Sequence, residues 1–194
     1  MKPVSILLLI SLAVATTSGC APVVVGGAAA GGAALHDRRT VGTVVDDQGI
    51  ELKARLAILE NKELSSQIHV SVTSFNGVVL LTGQAPTETL RQQAQDIVAG
   101  TDKVRMVHNE MSIAAPNSLM TRSSDTLITA KVKTALFNIK GLEGFDPTRV
   151  KVVTEDGIVY LMGLLYRHEA DAVADQARQV GGAKKVVKVF EYLD

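Results

Sequence analysis

Tryptophan is absent from this chain, cysteine occurs once, at Cys20, and phenylalanine and tyrosine together number seven in 194 residues. Any core must therefore be aliphatic. One cysteine excludes an intramolecular disulfide and a cysteine-rich metal site. Histidine is scarce too: His36, His69, His108 and His168 are scattered without paired ligand spacing. No excess of either charge exists, since 20 Lys and Arg balance 20 Asp and Glu. A generic nucleic-acid binder would be more basic, so no nucleic-acid partner is expected. Also lacking is an apolar run of the roughly 20 residues that a helix needs to cross a bilayer. The longest candidate, Val4 to Ala15, is too short. The glycines at 26–32 lack the Gly-Lys-Ser/Thr ending of a phosphate loop.

What the amino terminus does contain is ordered by function. Met1-Lys2 gives a positive start, Val4 to Ala15 an apolar stretch, and Thr17-Ser18-Gly19 small residues before Cys20. This pattern resembles a bacterial lipoprotein signal, although Thr17 stands where leucine is usual. The resemblance implies a signal peptide over 1–19, cleaved before Cys20, with diacylglycerol on the sulfur and an N-acyl chain on the new terminus. Acylation would also remove the thiol from redox chemistry in an exported protein. Residue 21 is alanine and not aspartate, which in such signals implies the outer membrane, here its periplasmic face. Residues 20–45 read as a lipidated tether: glycine and alanine blocks at 26–34 offer little side chain to bury and much backbone entropy to lose. A small-residue helix lying on the membrane is the alternative.

Internal repetition organises the rest. Val70 to Gly83 matches Val150 to Gly163 without a gap: an alternating strand, Asn76-Gly77 or Asp156-Gly157, then an aliphatic strand ended by glycine. Asn-Gly and Asp-Gly suit the positive φ angles of a two-residue hairpin turn. A helical pattern precedes each hairpin, with Leu52, Leu56 and Leu59 as the expected buried stripe of the first copy and Ile128, Val132, Leu136 and Ile139 of the second. A helix follows each hairpin, at Glu88–Ala99 and at Glu169–Val180, then a last strand at Val104–Ile113 and at Lys185–Tyr192. The order helix, strand, strand, helix, strand thus occurs twice. It predicts an α+β chain with one domain at 46–115, a linker at 116–122 and a second domain at 123–194.

These motifs, in this order and in duplicate, resemble the BON domain, and the resemblance covers nearly all of the chain after Cys20. It implies two helices packed on one face of a three-stranded mixed sheet in each domain. It also implies association with phospholipid and no catalysis. No cofactor is expected beyond the acyl chains on Cys20.

The candidate chemistry agrees with a non-enzymatic reading. Asp46-Asp47 and Ser123-Ser124-Asp125 stand where helices are expected to begin and Glu155-Asp156 in a turn, so capping and turn formation account for them. The leading helices have diverged: the first carries Asp47, Glu51, Lys53 and Ala57 where the second has Thr126-Leu127, Lys131, Lys133 and Phe137. Apolar residues flanked by lysines suit a helix that dips into anionic headgroups. The expected phospholipid-binding residues are Leu127, Ile128, Lys131, Lys133, Thr134 and Phe137. A rival reading buries Leu127 and Phe137 against the companion domain. Residues 121–194 carry eleven Lys and Arg against ten Asp and Glu, and 46–115 six against nine, so the second domain better suits an anionic partner. The expected function is an outer-membrane lipoprotein that binds anionic phospholipid and supports envelope integrity. The alternative is a periplasmic adaptor for another envelope or outer-membrane assembly protein.

Overall fold

A computed structural model of the protein describes residues 37–115 and 119–194. The leader, Cys20, the Gly/Ala stretch and His36 lie outside them. The first domain runs α1 (Val41–Glu60), α2 (Lys62–Ser65), β1 (His69–Phe75), β2 (Val78–Ala85), α3 (Glu88–Ala99), β3 (Met106–Asn109) and β4 (Ser112–Ile113). The second runs α4 (Leu119–Leu136), a single 3-10 turn (Pro147–Arg149), β5 (Lys151–Glu155), β6 (Ile158–Leu165), α5 (Arg167–Arg178) and β7 (Lys185–Tyr192). In each, the hairpin pairs antiparallel and the last strand joins its second strand in parallel. The αββαβ unit and its mixed sheet therefore occur twice.

Boundaries differ from the sequence reading in several places. Thr40 caps α1 by accepting the Thr43 N–H at 3.1 Å, so the helix starts inside the stretch read as tether. Likewise α4 starts inside the stretch read as linker. The helix expected to begin at Glu169 begins at Arg167. The last strand of the first domain breaks into β3 and β4, both on β2 and in one register, with pairing interrupted where Met111 turns into the core at 2% exposure.

Both hairpin turns hold left-handed residues, Asn76 and Gly77 at φ 54° and 74° and Asp156 and Gly157 at 54° and 76°. This is the turn that lets a right-twisted hairpin close in two residues. The glycine ending each second strand serves close approach: a Cβ on Gly83 would lie 2.1 Å from the His69 carbonyl oxygen, and on Gly163 2.9 Å from that of Arg149. Only a residue without a side chain lets the entering chain cross there.

Two helical readings are corrected. In α1 the buried positions are Asp47, Ile50, Ala54 and Ile58, while Leu52, Leu56 and Leu59 face outward. The helix is apolar on two sides, so periodicity alone selects the wrong one. Nor do Asp47 and Asp125 cap helices. Asp47 lies within α1 and accepts from Ser74 Oγ at 2.6 Å and from the Asn76 and Gly77 N–H groups at 2.7 and 2.8 Å. Asp125 lies within α4 and accepts from the Asp156 and Gly157 N–H groups at 2.9 and 2.8 Å. Each helix thus clamps the hairpin turn of its own domain through a buried carboxylate.

Helices cover only one face of each sheet. Along β2, Val79 and Leu81 face the helices while Val78 and Leu80 face away. Along β6, Val159 and Leu161 face the helices while Tyr160 and Met162 face away. The outward sets meet: Phe75, Val78, Leu80, Tyr160, Met162 and Val189 form one buried cluster between the sheets. The result is helix, sheet, sheet, helix, with the two helix layers on opposite sides of the double sheet.

The clamps are expected to differ in strength. Asp47→Ala strands Ser74 Oγ, two backbone N–H groups and an arginine, and is expected to cost about 3 kcal/mol, whereas Asp125→Ala strands two N–H groups and costs about 1–2 kcal/mol. Urea unfolding of the two variants measures this. Equal losses would contradict the added role of Ser74 and the arginine.

Candidate functional site

The buried side of α4 holds Asp125, Ile128, Val132 and Leu136. Every remaining turn therefore presents its opposite side to solvent. There Leu127, Lys131, Thr134 and Phe137 recur at three- and four-residue spacings, with Lys133 on the flank, and all five are exposed. Leu127 is 63% and Phe137 66% exposed, which rules out their burial against the companion domain. Thr134 Oγ donates to the Ala130 carbonyl at 2.9 Å. Ile128 is the exception among the expected phospholipid-binding residues. At 6% exposure it belongs to the core of the second domain, because it falls in the i, i+4, i+8 row with Val132 and Leu136.

Among the described residues neither Lys131 nor Lys133 forms an ion pair, so both ammonium groups remain available to an external anion. Beside them lies a depression of about 200 Å³ lined in part by Leu127, Lys131, Gly157, Gly181, Gly182 and Lys184. Lys184 escaped the sequence reading because it lies some fifty residues beyond Lys131 and meets it only through the loop before β7. The Gly181-Gly182 pair is the one local sign of that loop.

A second constellation ties the chain entering the first domain to the second. Arg38 donates to both Glu169 carboxylate oxygens at 2.6 and 2.8 Å and to the Leu164 carbonyl at 3.0 Å, with its guanidinium 4.8 Å from the centre of the Tyr166 ring. Arg39 donates to Asp37 and Asp47 and lies 3.7 Å over the ring of Phe75. Two neighbouring arginines thus take hold of different domains. Burial alone would raise the Glu169 carboxyl, but the hydrogen bonds from Arg38 and the Tyr166 N–H outweigh it and hold the group below its ordinary range. Around the apolar cluster, Lys151 meets Glu51 at 2.7 Å, Asn76 meets Glu191 at 2.8 Å, and the Gln84 amide donates to Glu155 and Asp156.

Asp125, Glu155 and Asp156 bring carboxylate oxygens within 4.8 Å of one another. Each already accepts from the fold: Asp125 from two turn N–H groups, the other two from Gln84. Burial, outweighing the Gln84 amide, pushes the Glu155 carboxyl up, and Asp156 and Asp125 add to the rise. The group is a structural junction between the domains. His69 and His108 lie on strands and His168 on α5, on separate elements.

The Arg38 contact carries a pH signature. A carboxyl lowered in the folded state stabilises it above the unfolded-state pKa and loses that contribution as pH falls through the folded one. Arg38→Ala is therefore expected to cost about 2 kcal/mol at neutral pH and less near pH 3, since the contribution fades as pH falls toward and through the lowered pKa of Glu169. Unfolding curves at the two pH values check this. A loss of the same size at both would contradict the ion-pair account.

Comparison with known proteins agrees with this architecture. Residues 46–115 and 124–194 each match the BON domain. The chain is 34% identical over 194 residues to "Outer membrane lipoprotein DolP" of Haemophilus influenzae, covering 100% of this chain and 99% of that protein. It is 36% identical over 157 residues to the "21 kDa hemolysin" of Actinobacillus pleuropneumoniae, covering 81% of this chain and 79% of that one. To "Osmotically-inducible protein Y" of Escherichia coli it is 28% identical over 150 residues, 75% of this chain and 72% of that one. With two αββαβ units that both match and similarity along the full length of a named lipoprotein, the chain belongs to the BON-domain family, in the group of the outer-membrane lipoprotein DolP.

Proposed function

We propose that this protein is anchored through acylated Cys20 to the periplasmic face of the outer membrane. There its second domain docks on anionic phospholipid through α4 and helps maintain the integrity of the envelope. The observation that carries the reading is the outward face of α4, where Leu127 and Phe137 are exposed apolar residues and Lys131 and Lys133 form no ion pair among the described residues. An apolar residue near each end of a lysine-bearing face suits the headgroup boundary, where alkyl and aromatic groups enter and ammonium groups meet phosphate. Lys184, beside the depression next to Lys131, adds a third cation. Each lysine close to an anionic surface contributes about 1 kcal/mol, enough to orient a protein that the lipid anchor already holds there.

No helix among the described residues is long and apolar enough to cross a membrane, so attachment is assigned to the lipid on Cys20. The role is binding and not catalysis: the clustered polar groups of the second domain are engaged in clamping turns and joining domains. The alternative, an adaptor that uses this face for another envelope protein, has the same exposed residues in its favour. Lipid composition separates the two.

Vesicle flotation of residues 21–194 is expected to require anionic lipid. Lys131→Glu with Lys133→Glu is expected to weaken binding by on the order of tenfold or more, with the difference shrinking at high salt because screening suppresses the same attraction. Leu127→Glu is expected to weaken binding with less salt dependence, since it acts on insertion. Binding to neutral and anionic vesicles alike, or no effect of the lysine reversals, would favour the adaptor. Mass spectrometry of the mature protein is expected to find three acyl chains on Cys20 and none after Cys20→Ala; an unmodified amino terminus would contradict the anchor.

A further inference from the structure

The outward face of α1 carries Val41, Val45, Leu52, Leu56 and Leu59, each between 49% and 64% exposed. The opposite face buries Ile50, Ala54 and Ile58. A helix apolar on both sides is the pattern of a helix covered on both sides, and the described residues cover one. Midway along the exposed stripe stands Gly49. Glycine inside a helix is less stable than alanine, and a Cβ added here would meet nothing within 4 Å, so packing inside the protein does not call for it. What a bare position supplies is room for a second backbone arriving from outside.

The stripe is arranged symmetrically about that glycine. Val45 and Val41 lie four and eight residues before it, Leu52 and Leu56 three and seven after it. The charges at its border, Asp46 three before and Lys53 four after, are engaged within the domain, with Lys103 at 2.7 Å and Asp102 at 3.7 Å, so the complementarity of the stripe is apolar. We propose that α1 is a homodimer interface, in which a second copy packs its own α1 antiparallel across a two-fold axis at Gly49. An interface of this kind is isologous, so one patch must complement itself. Here it does: Val45 and Val41 of one copy meet Leu52 and Leu56 of the other, and the glycines let the helices approach closely at the crossing. A border with both signs suits a second protein surface, whereas the lysines on α4 suit an anionic one. The inference is independent of the lipid reading, since the two helix layers lie on opposite sides of the double sheet.

Cross-linking of the full-length chain in isolated membranes tests it. With Gln48→Cys and a short bismaleimide, covalent dimer is expected at least tenfold faster than with Ala130→Cys on α4, against the background of the parent chain, whose one cysteine is Cys20. Adding Leu52→Glu is expected to reduce the rate to that of Ala130→Cys. Because Leu52 is exposed, its thermal midpoint should stay unchanged, which separates lost contact from lost fold. Equal rates at the two positions, or no effect of Leu52→Glu, overturns the proposal. So does an adduct between the Gln48→Cys chain and a different protein in place of dimer, or a Leu52→Glu variant that loses vesicle binding while it cross-links as before.

Discussion

Contact between the two sheets is the constraint on which the rest of this structure depends. Two helices cover one face of a three-stranded sheet, and the other face, with Phe75, Val78 and Leu80 or Tyr160 and Met162, would meet water unless something covered it. Each domain solves this for the other. Burying a side chain of this size is worth about 1.5–3 kcal/mol, so the shared cluster binds the domains far more firmly than its polar rim, where single pairs contribute about 1 kcal/mol or less. Tyr160 shows how dry the contact is, with burial the main cause of a phenol pushed far up from its ordinary range and nearby Glu110 adding to it.

From that contact follows the disposition of everything else. With the sheets back to back, α1 and α4 are forced outward on opposite sides, and whatever their solvent faces carry is displayed in opposite directions. Duplication then becomes useful, since two copies of one fold can bear different surfaces without disturbing the core. The chain has diverged in this way: lysines with Leu127 and Phe137 on one helix, aliphatics with Gly49 on the other. Arg38 and Arg39 add a second consequence. By gripping Glu169 in one domain and Asp47 in the other, they fix where the chain enters the paired sheets, next to the contact itself.

Much of this was legible in the amino-acid sequence. The hairpins could be read because Asn-Gly and Asp-Gly have few other uses between apolar runs, and the repeat because Val70–Gly83 and Val150–Gly163 align without a gap. The solvent face of α4 could be read by comparing the copies, although Ile128 was drawn in by proximity to Leu127. What could not be read has physical causes. A helix with two apolar sides has no unique phase, which sent Leu52, Leu56 and Leu59 to the core on paper and to the surface in space. The roles of Asp47 and Asp125 depend on turns some thirty residues away, and no local pattern separates a turn clamp from a helix cap. Sheet pairing left a trace that is plain only afterwards: Val78–Leu81 and Ile158–Met162 are apolar at every position, as strands buried on both faces must be.

The central claim is that α4, and not α1, faces the bilayer. Amide resonances of residues 21–194 mixed with anionic micelles that carry a spin-labelled lipid test it most directly. The account predicts broadening centred on Leu127 to Phe137 and around Lys184, with α1 unaffected. Broadening centred on α1, or none in either helix while the protein binds its partners in the envelope, would contradict it.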